Sequence, residues 1–325
     1  MKTLVLFAAG LGSRFGGAKQ WTSFGPSGQT LLDYTLYDAR HAGFERALFV
    51  IREEDSAWID EMIRLRWSSR LTIDTAFQRI DKLPGGLKSP SKRTKPWGTG
   101  HALWSALPFV SSPFFIANAD DFYGREALRL AYNQLQTIHA STTGTVSDQH
   151  NSSLHSDRRV SGTIIGYPLH NTLSIHGSVS RGICETDQDG NLISLCEHKE
   201  ITLQSISSNS NSTNTSSADH PTPLSLDSLV SMNLIGFTHE LLDITKRAFE
   251  IFYSALDSPE VPPKDPLKEE FPITAILNQM IAEGHRIRVC PTQSEWMGVT
   301  YQADALLVTE RLLQLHQQGH YPDEF

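Results

Sequence analysis

Cysteine is scarce in this chain: Cys184, Cys196 and Cys290 are the only three among 325 residues, and none stands in the CxxC spacing of a zinc site or redox pair. An odd, scattered set excludes a disulfide framework, so reduced thiols are expected. A basic excess is also missing, with 28 Lys and Arg against 36 Asp and Glu and a net charge of -8. Bulk charge of that sign suits neither a nucleic acid nor an anionic membrane, although a local basic pocket for a small anion remains open. No apolar run approaches the roughly 18 residues of a membrane span. The opening MKTLVLFAAGLG is broken by glycines and then Arg14, which is unlike a signal peptide. Internal repeats are absent too, including the hexapeptide repeat of a β-helix, so no appended acyltransferase domain is expected. These absences predict a cytoplasmic protein whose partners are small molecules, with no nucleic acid and no membrane, and they say nothing of oligomeric state.

What is present is ample apolar material, 39% of residues, enough to bury a sizeable core. Short apolar runs (Thr3 to Ala8, Ala47 to Ile51, Phe114 to Ala117) alternate with segments of helical period at Thr30 to Ala42 and Arg125 to Ile138. That βαβα rhythm predicts an α/β fold with a parallel sheet between helices. In TLLDYTLYDARHAG, Leu32, Leu36 and Ala39 share a helical face, Thr30 suits the N-cap and Gly43 the stop. After about residue 160 the chain turns β-rich, through SGTIIGYPL, SVSRGICETDQDGNLISLCEHKEI with a turn at Asp189 and Gly190, and SLVSMNLIGFT. A mixed, mostly parallel sheet with a β-rich extension follows. We divide a single domain, 1–325, into halves at 1–138 and 160–300 with a C-terminal helix in 301–325. The Ser/Asn-rich stretches 139–159 and 202–226 read as flexible surface loops.

Behind the first apolar run stands AAGLGSRFGGAKQ, residues 8–20. A dinucleotide fingerprint would need glycine where Phe15 stands. A Walker loop would need lysine directly after Gly17 and a hydroxyl after it, where Ala18, Lys19 and Gln20 follow. What remains is a strand, a glycine-freed backbone able to wrap a polyphosphate, and two cations, Arg14 and Lys19, to neutralise it.

This loop resembles the signature of the sugar-phosphate nucleotidyltransferases, which it shares in short form with the cytidylyltransferases of isoprenoid and molybdenum-cofactor synthesis. KPWGTGHAL (95–103) is similar to the family's base-holding turn, FFIANADDFYG (114–124) to its strand ending in a magnesium-binding aspartate, LCEHKEI (195–201) to its V-E-x-K segment, and SMNLIGF (231–237) to its Asn-containing sugar strand. The resemblance covers most of the chain and implies a Rossmann-like, three-layer nucleotidyltransferase fold with a β-rich sugar-binding extension. It also implies an NTP and a sugar 1-phosphate as partners and Mg2+ as cofactor. Carried over, Arg14, Lys19 and Asp120 are catalytic. Ala8, Ala9, Gly10, Gly12, Ser13, Lys95, Pro96, Gly98, Thr99 and Gly100 bind nucleotide. Gly182, Glu197, Lys199 and Asn233 bind the acceptor, and Asp120 binds metal.

The chemistry suits these residue types. An oxygen of a phosphate monoester is already an anion at neutral pH, so attack on the α-phosphorus of an NTP needs no general base. Catalysis falls to cations and positioning. His101 is accordingly read as a packing or helix-start residue outside the catalytic set. Asp120 ranks before Asp121, since neighbours on extended chain point apart. Glu197 and Lys199, two apart, are expected on one strand face. His316 and His320, four apart with no third ligand, read as solvated helix surface. The family often carries a second metal-binding Asp or Asn after a Trp, but here Gly298 stands in that place. Asp304, another group, or phosphates and water would then complete the site. The sequence therefore predicts a sugar-1-phosphate nucleotidyltransferase, which the EHKE segment favours. The alternatives are a cytidylyltransferase for another phosphorylated alcohol, which the short loop suggests, and a catalytically silent nucleotide-sugar-binding protein, which Gly298 keeps open.

Overall fold

The computed structural model describes residues 1–10, 22–143, 160–209, 224–238, 241–257 and 265–325. Eleven strands are present among them: β1 (Thr3–Phe7), β2 (Arg46–Ile51), β3 (Thr72–Phe77), β4 (Phe114–Asn118), β5 (Asp121–Phe122), β6 (Val160–Pro168), β7 (Val179–Thr186), β8 (Leu192–Ile201), β9 (Leu229–Phe237), β10 (Arg286–Pro291) and β11 (Met297–Gly298). The main sheet runs β10-β6-β9-β4-β1-β2-β3, with the β7–β8 hairpin attached through β9, so strands from both halves of the chain share it. Strands β4, β1, β2 and β3 pair in parallel, as do β10 and β6, whereas β9 runs antiparallel to both β4 and β6. The mixed, mostly parallel α/β architecture is the one expected.

Helices cover both faces because the parallel strands are apolar throughout and must be buried on both sides. Alternation sends Leu4 and Leu6 to one face, where α1 (Leu31–Ala42) and α5 (Arg125–Thr143) pack with Leu32, Leu36, Ala39, Leu128 and Leu135. Val5 and Phe7 go to the other, against Leu103 and Ala106 of α4 (Thr99–Ala106), Phe249 of α7 (Leu242–Ser254) and Ile276 and Met280 of α8 (Ile273–Ala282). Between β2 and β3 the crossover is α2 (Ser56–Trp58), a wider π turn at Ile59–Arg64 and α3 (Leu65–Trp67). The sequence cues for α1 are realised: Thr30 and Asp33 form a reciprocal capping box, and Gly43 takes the left-handed conformation at φ 111°. No helix among the described residues is long and apolar enough to cross a membrane.

Three local expectations are corrected. Helix α5 continues to Thr143, so the first part of 139–159 is helical, and 144–159 lies outside the described residues. In the second stretch α6 (Leu203–Asn209) forms, because Thr202 and Ser205 exchange cap hydrogen bonds and Ile206 plugs into the core; residues 210–223 lie outside the described set. Finally, α9 (Asp304–Gln317) does not leave His316 in solvent. Its imidazole is buried and lies 2.7 Å from the Tyr34 hydroxyl, while His320 is exposed as expected. The difference arises because Val308, Leu312 and Leu315 turn that side of α9 onto Phe24, Leu31 and Tyr34, carrying His316 with them.

Two buried carboxylates hold α1 in place. Asp33 accepts from Thr30 N at 2.8 Å, Thr30 Oγ1 at 2.9 Å and Trp67 Nε1 at 2.9 Å, and pairs with Arg66 at 2.6 Å. Asp33→Asn should lower unfolding free energy by roughly 2 kcal/mol, the scale of losing charge-assisted hydrogen bonds, read from urea denaturation. Asp38 accepts from the Tyr321 hydroxyl at 2.6 Å and Arg125 Nε at 3.2 Å. Burial pushes its carboxyl up to about 6 from 3.8, against the lowering pull of Tyr321 and Arg125. The native state thus holds a proton that the unfolded chain has released between those values, and stability falls as pH rises through that window. Asp38→Asn should flatten this fall, so its urea midpoint should vary less than the wild type's between about pH 4 and pH 6.

Candidate active site

The site forms where strand direction changes. β1 and β4 run parallel and end level, with Phe7 opposite Asn118, while β9 approaches β4 from the other side in the opposite sense. The crevice lies at the carboxyl ends of β1 and β4, the place where open α/β sheets bind ligands, with both following helices, α1 and α5, on one face of the sheet and α4 on the other. Here the crevice consists of two chambers of about 330 and 360 Å³. They share Thr99, Asn118, Asp120, Asn233 and Glu270 as common walls.

The first chamber is bounded by Phe7, Ala9 and Gly10 after β1, by Gln78 after β3, and by Lys95, Pro96, Gly98 and Thr99 before and at the start of α4. The glycines of the GTG turn have a steric reason. Gly98 adopts φ 92°, and a Cβ there would lie 2.8 Å from the Phe271 carbonyl oxygen; one on Gly100 would lie 2.6 Å from the Phe271 ring. The close approach is locked by Gly100 N donating to Phe271 O at 2.9 Å and Ile273 N donating to Thr99 Oγ1 at 2.9 Å. Gly100 is therefore packed away beneath Phe271 instead of bordering the chamber, and Ala8 is buried behind Ala9. Lys95 reaches Glu270 at 2.9 Å and Lys268 O at 3.0 Å. Gly12, Ser13, Arg14 and Lys19 lie outside the described residues.

His101 is fully buried at the start of α4. Its Nε2 lies 2.7 Å from Lys82 O and its Nδ1 3.2 Å from Gln78 Nε2, which also donates to Gly98 O at 2.9 Å. Burial pushes this imidazole down to about 4, so it is neutral at physiological pH. Its placement is that of a packed helix-start residue.

Asp120 occupies the turn between β4 and β5 and borders both chambers. Asp121 borders only the second and is buried, its Oδ2 accepting from Asn118 Nδ2 at 2.8 Å. Asp120 stands in the turn and Asp121 in β5, so the hydrogen bond to Asn118, and not strand alternation, sets the two apart. Asn118 Oδ1 in turn accepts from Asn233 Nδ2 at 3.3 Å. Asn233 sits at φ 62°, beside a register shift in the β6–β9 pairing, and this left-handed backbone is one that Asn tolerates.

The second chamber also takes in Ser180 and Gly182 of β7, Glu197 of β8 and Thr274 of α8. Gly182 is paired across the hairpin with Glu197. Lys199 does not line it. The ladder slips between the Arg181–His198 and Val179–Ile201 pairs, with Glu200 at φ 58°, so Lys199 falls in a bulge where simple alternation fails. Gly298 pairs with Asp121 in the small β5–β11 sheet. A Cβ at that position would lie 3.0 Å from Asp121 Oδ1 but 2.5 Å from the Trp296 ring, so glycine admits the indole. Asp304 does not complete a site with Asp120. It opens α9 and holds the turn before it, accepting from Thr300 N at 3.0 Å, Tyr301 N at 2.8 Å and Ser174 Oγ at 2.8 Å, and borders a separate cavity.

Sequence reasoning missed Gln78, Asn118, Glu270, Arg181 and Trp296, all of which line the crevice. Asn118 alone carried a signal, as an amide ending an apolar strand.

Among solved structures the chain is similar to the inositol-1-phosphate CTP transferase from T. maritima, with 12% identity and a TM-score of 0.55 over 96% of each chain. It is also similar to HddC from Yersinia pseudotuberculosis, with 16% identity and a TM-score of 0.51 over 96% of this chain and 99% of that one. No protein-family profile matches the chain, and no curated protein matches it. At such identities the likeness concerns the fold alone, a Rossmann-like, three-layer α/β architecture.

Proposed function

We propose that the protein is a nucleotidyltransferase that joins a nucleoside monophosphate from an NTP to a phosphorylated polyol, a sugar 1-phosphate in the first instance, releasing pyrophosphate. The observation that carries this reading is the two-chambered crevice with Asp120 on the shared wall. A nucleoside lies in the chamber beside Gly10, Gln78 and Gly98, and the family resemblance assigns its polyphosphate to Arg14 and Lys19. The acceptor lies beside Glu197, Ser180, Ser231 and Thr274, hydrogen-bonding groups that match hydroxyls. An acceptor phosphate oxygen bonds to the α-phosphorus, the bond to the bridging oxygen breaks, and pyrophosphate carries that electron pair away.

Magnesium fits the donors present. No cluster of three or more His, Cys, Asp or Glu suited to a metal occurs among the described residues. Mg2+ does not demand one, since it takes one or two carboxylates, substrate phosphates and water. Asp120 would hold it, with Asp121 kept behind by Asn118. When bound, the ion neutralises charge on the polyphosphate. Asn118 and Asn233 keep the shared wall in shape, and Glu197 orients the acceptor.

A second reading, a cytidylyltransferase acting on a phosphorylated alcohol other than a sugar, draws support from the T. maritima neighbour, an inositol-1-phosphate CTP transferase. Incubation with magnesium, each NTP and a panel of sugar 1-phosphates and polyol phosphates, followed by pyrophosphate assay, tests both. Tight NTP binding without release from any pair would favour a silent binding protein. Lys19→Ala and Asp120→Asn should each lower turnover at least ~100-fold with the fold intact, the scale of one charge-stabilising group; wild-type rates would discard the assignment. Glu197→Gln should raise the KM for acceptor by about tenfold while kcat changes little, as expected for a ground-state contact.

A further inference from the structure

A third cavity, of about 270 Å³, lies behind the second chamber, between the Leu169–Thr172 turn, β11 and α9. Arg181, Trp296 and Thr300 border both spaces. Arg181 is only 9% exposed, and its guanidinium stands 5.0 Å from the centre of the Trp296 ring. Nε donates to Thr172 O at 3.1 Å, Nη1 to Ser180 O at 2.8 Å, and Nη2 to Thr172 O. A guanidinium carries five N–H groups, so two have no acceptor among the described residues.

Carboxylates nearby do not take them. Among the described residues Arg181 makes no ion pair, although Asp121 and Asp304 act on it from a distance. Asp304 is taken up by the turn before α9 and Ser174, and Glu295 on the same wall is paired with Arg311 at 2.8 Å. Burial outweighs those distant acids and pushes the guanidinium down to about 10. Trp296 Nε1, buried on the shared wall, has no acceptor among the described residues.

Arg93 is the internal comparison. It is equally buried and lies 3.6 Å over Trp97, but it donates to four carbonyls, of Lys95, Pro266, Pro96 and Glu269. Arg93 has four of its five N–H groups taken up and borders none of the three cavities. Arg181 has two N–H groups without an acceptor among the described residues beside an open cavity, and a buried charge that makes no ion pair is costly until an anion arrives.

We propose that this cavity is an anion site, in which Arg181 receives a carboxylate or phosphate group of a small metabolite whose body lies against Leu173, Met297 and Leu307. The anion is either a distal group of the acceptor or a separate effector, and the inference does not rest on the proposed reaction.

The test is 15N NMR of arginine Nε groups during titration with inorganic phosphate and with succinate, against sodium chloride at equal ionic strength. The Arg181 resonance, identified by its loss in Arg181→Lys, should move saturably with phosphate or succinate. Leu307 is 44% exposed at the mouth, so Leu307→Glu adds a like charge without disturbing the core. It should weaken binding at least tenfold, and it identifies the resonance if Arg181→Lys does not fold. A resonance that responds to neither anion, or equal affinity in Leu307→Glu, overturns the proposal. Competition between a bound polyol phosphate and succinate would make the anion part of the acceptor, and simultaneous binding would make it an effector; both leave the site standing.

Discussion

The reversal of strand direction beside β4 is the constraint on which the site depends. β4 runs parallel to β1 and antiparallel to β9, so the ends of β1 and β4 open beside Asn233 of β9, with α1 and α5 together on one face of the sheet and α4 on the other. The resulting crevice is open, yet its walls are short turns on buried strands. Asp120 is one residue beyond Ala119, whose N–H still donates to Phe7 O at 3.0 Å. A side chain so close to a sheet of buried hydrogen bonds has little freedom to wander.

A buried polar network keeps that edge in shape. The Tyr123 hydroxyl accepts from Asn118 N at 2.8 Å and donates to Met232 O at 2.9 Å, and the Tyr167 hydroxyl donates to Tyr123 O at 2.8 Å. Burial, together with the Asp121 charge, raises both phenols well above their usual range, so they stay neutral donors. Asp121 is thus built into the scaffold, and its neighbour Asp120 is presented to the two chambers. The separation of roles within one Asp-Asp pair follows from Asn118 holding Asp121 while Asp120 stands in the turn before it.

Much of the fold was legible in the chain, because its signals are local. Thr30, Asp33 and Gly43 bracket α1 by capping chemistry, and the Asp189–Gly190 turn closes the β7–β8 hairpin with Gly190 at φ 79°. Cues fail where context intervenes. Ser-rich 203–209 becomes helix through one buried isoleucine, and His316 is drawn inward by its helical neighbours. Lys199 leaves the cleft because a bulge, invisible to alternation, lies in β8.

For the crevice, the sequence by itself put Asp120 at the end of an apolar strand; it marked Gly98 and Gly100 only through the family resemblance, and of the two Gly98 alone borders the chamber. The sequence could not determine that Phe271, far along the chain, is the reason for the glycines, nor that Glu270, Arg181 and Trp296 complete the walls. Those residues come from separate elements, and only folding brings them together. Whether a buried cation has most of its donors taken up, as at Arg93, or fewer, as at Arg181, was likewise decided by tertiary packing, because the acceptors are backbone carbonyls whose positions no local pattern encodes.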